Sequence, residues 1–479
     1  MGGSAEADAF DYFRRYTTVK MPGVFESAFW DTLVLQLSAG EPAILHAAAA
    51  MGAAHRSDER LSLEQYNKAI SFLRPHLESH EQDGVRVALI TCMIFICLEL
   101  LRGDFEVSNK HLRNGLGLLR EFQSRKGLTP AGGALVLRPE PTLVDDQLVE
   151  AFARLHIQSA LLGQGSSYRF HVGDTAQGPW TYNIPSRFEN FREARQQLDG
   201  LLNGVTSLEG DALGLLHQQN PIPDVLFRRR EQLQEALARW LPAFDLGRAA
   251  MEARATSRTA LAVPLLRLYH TMTTVMAGTC LRGTDEMVYD SYSANFDLLI
   301  SQALELYHRA TTELIDPTVA SGHHIPTRHF TVDMGFIPPL YYAALKCRSP
   351  GIRRRAIKLL LPAPHREGVW DGGFAARIAQ QVAKMEEGPL YDPIQVVLGT
   401  GFPDIETLAE PGPPIAIPSH ARVNEVRVAL PSEAGKMATL TFKRFRSADS
   451  TWETTTSQLD LLFDAPSNPC RTCRVDLYA

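Results

Sequence analysis

The sequence lacks the common signatures of chemistry and of compartment. Its 48 basic residues are outnumbered by 54 acidic ones, a net charge of −6. The whole-chain basic surplus of a nucleic-acid-binding protein is therefore absent. No Gly-Lys-Ser/Thr phosphate loop and no G-x-S-x-G nucleophile elbow occurs. The opening stretch MGGSAEADAFDYF has neither the basic nor the apolar region of a signal peptide. The longest apolar run, Val87–Leu101, is broken only by Thr91 and Glu99. At fifteen residues it falls short of the roughly 20 that a membrane span needs. An intracellular, soluble chain is the expectation, with no membrane partner. Cysteine is scarce: six in 479 residues, two of them (Cys92, Cys97) inside that apolar run. This fits reduced, buried thiols better than a disulfide framework. No internal repeat and no low-complexity segment is found.

What is present is a folded, helical composition. Hydrophobic residues make up 45% and charged residues 21%, the balance of a globular protein. The stretch Val85–Phe122 organises the rest. Its first half is apolar all round, which is the mark of a helix buried in a large protein. Gly103-Asp104 supplies a stop and a turn. In the second half, Ser108, His111, Leu112, Gly115, Leu116, Leu119 and Phe122 recur at helical spacing, with Arg113, Arg120 and Glu121 off the stripe. The two halves predict an antiparallel helical hairpin.

Before it, helices are expected over Ala5–Arg15, Val24–Leu37, Ala43–His55 (opened by Glu41-Pro42) and Ser62–Leu77. After it, Thr129–Thr142 is a break crowded with proline and glycine, Leu143–Gly163 is helical, and Gly163–Pro185 is a polar connection. Further helices are expected over Phe188–Val205, Asp224–Trp240, Ser257–Gly278 with Pro264 near its start, Tyr292–Leu314, Leu340–Cys347, Ala356–Leu361 and Ala375–Met385, with a loop at Pro317–Arg328. Past Pro393 the pattern changes. Val423, Val426 and Val428 partly alternate, as do Ala438, Leu440 and Phe442, around a turn at Ser432–Gly435. A two-stranded hairpin follows from this, with a third strand suggested around Trp452–Leu459. The fold class expected is all-α: a large bundle of packed helix pairs over residues 1–410, a small β hairpin packed on it over 411–460, and a flexible tail over 461–479.

Three segments carry a family likeness. CLELLRGDFEVSNKHLRNGLGLL resembles the helical regulatory region of fungal zinc-cluster transcription factors. The opening helices, from FDYFRRYT through QYNKAISFLRPHL, look like the family's own. So does FIPPLYYAALKCRSPGIRRRAIKLLLPAPHREGVWDGGFAARIAQQVAKMEE, in which His365-Arg366-Glu367-Gly368-Val369-Trp370 stands in an RREG-W-like element, with His where a basic residue is usual. The resemblance implies gene regulation in the nucleus, dimerisation with itself or with a zinc-cluster factor, and sensing of a small-molecule effector. Such factors usually carry a cluster of six cysteines holding two zinc ions ahead of the helical region. Here Cys92 and Cys97 share the apolar run, Cys280 and Cys347 lie in other helical segments, and Cys470 and Cys473 form a single CxxC near the end. The expectation is a regulatory region without its own DNA-binding cluster, acting through partners or a ligand.

Individual candidates read mostly as structure. His323, His324 and His329 with Asp333 approximate metal-ligand spacing but read as a solvated loop. Gly163, Gly165 and Ser166–Ser167 only superficially suggest a phosphate loop. Glu99 must be paired or neutralised if buried, by Arg102 or by Lys110 or Arg113 of the next helix. Arg228–Arg230 and Arg353–Arg355 read as solvated helix faces. Phe25, Phe29, Trp30, Tyr341, Tyr342 and Trp370 read as core. No catalytic, cofactor-binding or metal-binding residue is assigned, and no cofactor is expected. The alternative is a helical domain recruited as a biosynthetic enzyme or small-molecule-binding protein; catalysis would need a roomy pocket on which Glu99, His111 or the His323–His329 loop converge. A pure scaffold would instead show an exposed apolar patch.

Overall fold

The structure is a computed structural model that describes residues 3–79, 81–128, 134–137, 143–164, 170–172, 182–256, 258–313, 330–363, 366–391, 416–431 and 437–460. Its frame is helical, as expected.

The chain opens with α1 (Gly3–Tyr12), a π-helical turn (Phe13–Thr17) and α2 (Thr18–Lys20). After a turn, a second π-helical stretch (Phe29–Leu33) leads into α3 (Val34–Ser38). The expected Val24–Leu37 helix thus begins late. Alanine-rich α4 (Pro42–His55) has proline in its first turn and is buried along most of its length. It packs on α1 and on α5 (Glu59–Ser79).

The central hairpin consists of α6 (Gln82–Arg102) and α7 (Phe105–Arg125). α6 is longer than its apolar run. By length and composition it would cross a membrane, but 89% of its apolar window lies inside the protein. Gly103 closes it in a left-handed conformation (φ 85°), donating to the Glu99 carbonyl at 2.9 Å. Asp104 caps α7 by accepting from the Val107 amide at 3.0 Å.

A short parallel pair that the sequence reading missed follows: β1 (Leu135–Leu137) with β2 (Phe170–Val172), on either side of α8 (Val144–Leu161). The reason it was missed is physical. The Gln123 side-chain amide donates to the Val136 carbonyl and accepts from its amide, both at 2.9 Å, and so acts as a further strand. A three-residue strand stabilised from outside leaves little periodicity to read.

α9 (Phe191–His217) and α10 (Asp224–Glu252) each run about three turns past the expected ends. Thr206, Ser207, Gly210 and Gly214 weaken the apolar signal in α9, but Leu208 and Ala212 still pack inward. α11 (Ala262–Thr279), α12 (Ser293–Glu313), α13 (Ile337–Lys346), α14 (Pro350–Leu360) and α15 (Gly372–Glu387) complete the body. Between them β3 (Phe330–Thr331), β4 (Arg366–Glu367) and β5 (Trp370–Asp371) make a second small sheet that was not anticipated.

The RREG-W-like element turns out to be a junction. The buried Glu367 carboxylate accepts from the Gly335, Phe336 and Ile337 amides at 2.7, 3.2 and 3.2 Å. It thereby satisfies the N-terminus of α13, where negative charge is favoured. Gly368 adopts φ 59° and donates to the Thr331 carbonyl at 2.7 Å. Trp370 is fully buried, edge-on to Tyr341.

The expected hairpin is a three-stranded antiparallel sheet: β6 (Glu425–Ala429), β7 (Met437–Arg446) and β8 (Thr451–Asp460). Val428, Ala438, Leu440 and Phe442 turn inward onto the helical body. The third strand pairs over ten positions, because an isolated hairpin is marginal and a third strand adds a full ladder. The tail at 461–479, with Cys470 and Cys473, lies outside the described residues, as do the loop at Pro317–Arg328 and His323, His324, His329 and His365.

Candidate functional site

Two assemblies of buried charge stand out. One borders a cavity and the other is closed.

The cavity has a volume of about 350 Å³, within the roughly 300–1,000 Å³ typical of small-molecule sites. It opens where five sequence-distant pieces meet: the second π-helical stretch and the turn before it, α8, the start of α9, the end of α10, and the residues just after β3. Its aromatic wall is formed by Phe25, Phe29, Trp30 and Phe191. The rings of Phe29 and Trp30 stand perpendicular with centroids 4.8 Å apart. Irregular π-helical turns are frequent at functional sites, and here one carries two of the wall residues. Met93 of the central hairpin and Leu155 add apolar floor. Gln147, Asn190, Ser27 and Thr259 supply uncharged polar groups.

A chain of alternating charges runs beneath. On α8, Arg154 contacts Glu150 one turn earlier and reaches Asp199 of α9 at 2.9 Å. Asp199 lies 3.5 Å from Arg195, which reaches Asp333 at 2.9 Å. Arg195 also stacks over Phe25, its guanidinium carbon 4.1 Å from the ring centroid. Burial would lower the pKa of Arg154, but Glu150, Asp199 and Asp333 outweigh it and raise the pKa above the usual guanidinium value. Behind this chain Gln158 donates to the Val332 carbonyl at 2.7 Å and accepts from the Val369 amide at 3.4 Å. The Val332 amide in turn donates to the Met21 carbonyl at 2.8 Å. The cavity's back wall is thus tied to the Gly368 junction and to the N-terminal helices.

The closed assembly holds the C-terminal sheet. Glu286 meets Arg282 and Arg348 at 2.8 Å each and Lys346 at 3.3 Å. Arg348 also reaches Glu386 at 3.2 Å, and fully buried Arg353 bonds Glu386 and Glu387. Glu386 then accepts from the Val423 amide at 2.8 Å, Arg348 donates to the Val423 carbonyl at 3.1 Å, and Lys346 donates to the Asn424 carbonyl at 3.0 Å. The strand leading into β6 is thereby clamped. Burial opposes ionisation of Glu286, but Lys346, Arg282 and Arg348 prevail and hold its pKa at about 2. Burial pushes the Lys346 pKa down to about 8 against the pull of Glu286.

Arg353–Arg355 is therefore not a solvated face. Arg353 is inside the clamp, Arg354 pairs with Glu387 at 2.9 Å and Arg355 contacts Asp297. Of Arg228–Arg230, Arg229 is buried, 3.4 Å from Asp211 and donating to the Gly204 carbonyl. A run of arginines on a helix spreads over all its faces, so every third or fourth one turns inward.

Glu99 is buried against Arg102, 3.5 Å away. Burial raises its pKa, with Arg102 countering. His111 joins the same cluster through Tyr66, whose hydroxyl is 3.0 Å from Nε2. This cluster lies between α5, α6 and α7, and neither Glu99 nor His111 lines the cavity. Gly163 packs against β6 rather than cradling a phosphate: a Cβ there would sit 2.4 Å from the Val426 carbonyl oxygen. Asp333 is committed to Arg195. Among the described residues, no group of three or more His, Cys, Asp or Glu side chains is arranged to hold a metal ion. The aromatics Phe25, Phe29 and Trp30 are buried, as expected, and are also the cavity wall. Nothing in their spacing distinguishes the two roles.

Residues 9–176 match the family model described as the fungal specific transcription factor domain. The chain is 25% identical over 441 aligned residues to the aspercryptin biosynthesis cluster-specific transcription regulator atnN of Emericella nidulans, covering 74% of this chain and 69% of that protein. It is 22% identical over 231 residues to the transcription regulator lscL of Purpureocillium lilacinum, covering 47% of this chain and 54% of that protein. No solved structure matches it.

Proposed function

We propose that this chain is the regulatory region of a fungal transcription regulator, working in the nucleus on genes of a biosynthetic pathway, and that the cavity is its effector site. The observation that carries this reading is where the cavity lies. Of the residues that border it, those of the Phe25–Trp30 stretch, Met93 of α6 and α8 lie within residues 9–176, and the start of α9 joins them through the ion pairs of Arg154, Asp199 and Arg195. A molecule filling the cavity would stabilise one packing of these pieces. It would shift the population by its differential affinity for the two packings and by no more. The cysteines at 92, 97, 280 and 347 lie in helices or at their ends and do not form a zinc cluster among the described residues. In this reading DNA is reached through a zinc-cluster partner, with which the chain pairs. The regulator names of the two relatives support the class, and the first of them supports a biosynthetic gene cluster as the target.

The test is to tether the full chain to a heterologous DNA-binding domain and to read a reporter gene. A change in reporter output relative to the DNA-binding domain alone is expected. Identical output with a folded, nuclear fusion protein would overturn the reading.

A further inference from the structure

The two edges of the C-terminal sheet are built differently. β6 has only five residues. It carries Glu425 and Arg427, and its Val428 amide donates to the Gly163 carbonyl at 3.3 Å, so the turn after α8 covers it. Shortness, charge and cover are the usual means by which a protein keeps a sheet edge from pairing with another chain. β8 has none of them. It runs over ten residues in unbroken register with β7, without a bulge. It contains neither lysine nor proline. Between Trp452 and Leu459 its single charge is Glu453, which Arg446 and Arg444 of β7 hold at 3.3 and 3.8 Å. Among the described residues no strand lies beyond β8.

The bond of Val428 to Gly163 fixes which backbone groups of β8 point outward. Val428 turns its amide away from β7, and this property alternates along an antiparallel ladder. Its partner Leu440 therefore turns towards β8, where it meets Ser457, and Phe442 likewise meets Thr455. The residues between them, Trp452, Thr454, Thr456 and Gln458, direct N–H and C=O away from the sheet. The side chains of Thr454, Thr456 and Gln458 are exposed. Polar side chains beside open backbone groups suit a further strand, not the apolar face of a helix.

We propose that β8 is a self-pairing edge, and that two copies of this chain join through it antiparallel into one continuous sheet. A two-fold axis through the sheet beside Thr455 sets Thr454 against Thr456 of the second copy, and Trp452 against Gln458. Every outward residue named above then meets an outward residue. Thr455 meets its own copy and Glu453 meets Ser457, so threonines face each other and no like charges are opposed. The charge pattern of β8 is in this way complementary to itself. The contact is one strand per copy, so the dimer is weak and depends on concentration. The proposal goes beyond the effector reading and does not depend on it.

The experiment is sedimentation velocity of the full chain at rising concentration in reducing buffer. The wild type is expected to pass from monomer to dimer in the micromolar range. Thr456→Pro removes an outward amide and leaves the ladder with β7 whole. The axis repeats the change, so each dimer loses that donor twice, and the midpoint should rise at least tenfold. Thr454→Lys puts an ammonium on the edge and serves if the proline variant does not fold. Thr455→Cys reads the register: its two sulfurs meet beside the axis, and mild oxidation should cross-link it beyond the wild type. Adding Thr456→Pro should abolish that extra cross-link. A wild type that stays monomeric at every concentration, a midpoint unmoved by both edge variants, or a dimer in which Thr455→Cys gives no added cross-link would each overturn the proposal.

Discussion

The cavity floor and the C-terminal clamp are built from the same side chains to different ends. In the clamp, Glu286, Glu386 and Glu387 meet Arg282, Arg348 and Arg353 with almost no exposure, Lys346 closes its edge, and backbone groups of Val423 and Asn424 take up further lone pairs and protons. On the floor, Arg154 and its carboxylates are each partly exposed, and the chain ends beside open space. A closed set of charges fixes one geometry, since removing any member strands another. A set that borders a cavity keeps its ends available to bias what enters. The first is how a sheet is fastened to a helical body, and the second is how a pocket acquires a preference.

The largest effect should come from breaking the clamp. Glu386→Ala leaves Arg348 and Arg353 charged and buried, which costs about 3–5 kcal/mol. Urea unfolding should show this loss, and limited proteolysis should cut first around 424–446. Equal stability would mean that the clamp is not closed as described.

Acid should separate the two regions next. His156 on α8 is buried against Phe170, and burial lowers its pKa from 6.5 to about 4. A histidine with a depressed folded-state pKa binds its proton more readily when unfolded. Stability is therefore complete above about pH 6.5 and falls as pH drops towards 4, by up to ~3 kcal/mol. Glu286, with its pKa lowered to about 2, keeps its contribution until pH falls below its ordinary value of 4.5. The cavity half should accordingly loosen before the clamp, and His156→Gln should flatten the upper window in a thermal-unfolding series.

A smaller effect is expected at the junction behind the cavity. At Gly368, φ is 59° and an added Cβ would lie 1.9 Å from the Gln158 side-chain oxygen. Gly368→Ala should cost about 1–3 kcal/mol in urea unfolding, because the added methyl displaces Gln158, which holds Val332 at the cavity wall. The smallest effect on stability is expected for Glu150→Gln, at most about 1 kcal/mol, since the pair is partly solvated. A cost there as large as that of the clamp would erase the distinction between the two assemblies.

The helical frame was legible because its signals are local. Periodicity marked α4 to α7, and Gly103-Asp104 marked the turn that Gly103 and the Asp104 cap in fact make. The burial of Trp370 and the pairing of Glu99 with Arg102 also follow from single-residue arguments. The short sheets were not legible, since β1 is completed by a glutamine side chain and β3 pairs with a strand more than thirty residues on. Arg353 looked solvated because its partners, Glu386 and Glu387, lie on another helix. The cavity had no local signal at all. Its wall residues, Phe25 and Trp30, read as core, and its charge chain joins positions 150, 195 and 333, which only the fold brings together.

The most direct test is hydrogen exchange of the full wild-type chain beside Ala151→Trp, in which the new indole fills the cavity from α8. Altered exchange is predicted in 25–34, 147–158, 190–196 and 330–333, with 282–290, 346–353 and 422–429 unchanged. No change in the first set, or change confined to the second, would contradict the account of the cavity as the site that senses and the clamp as the part that holds.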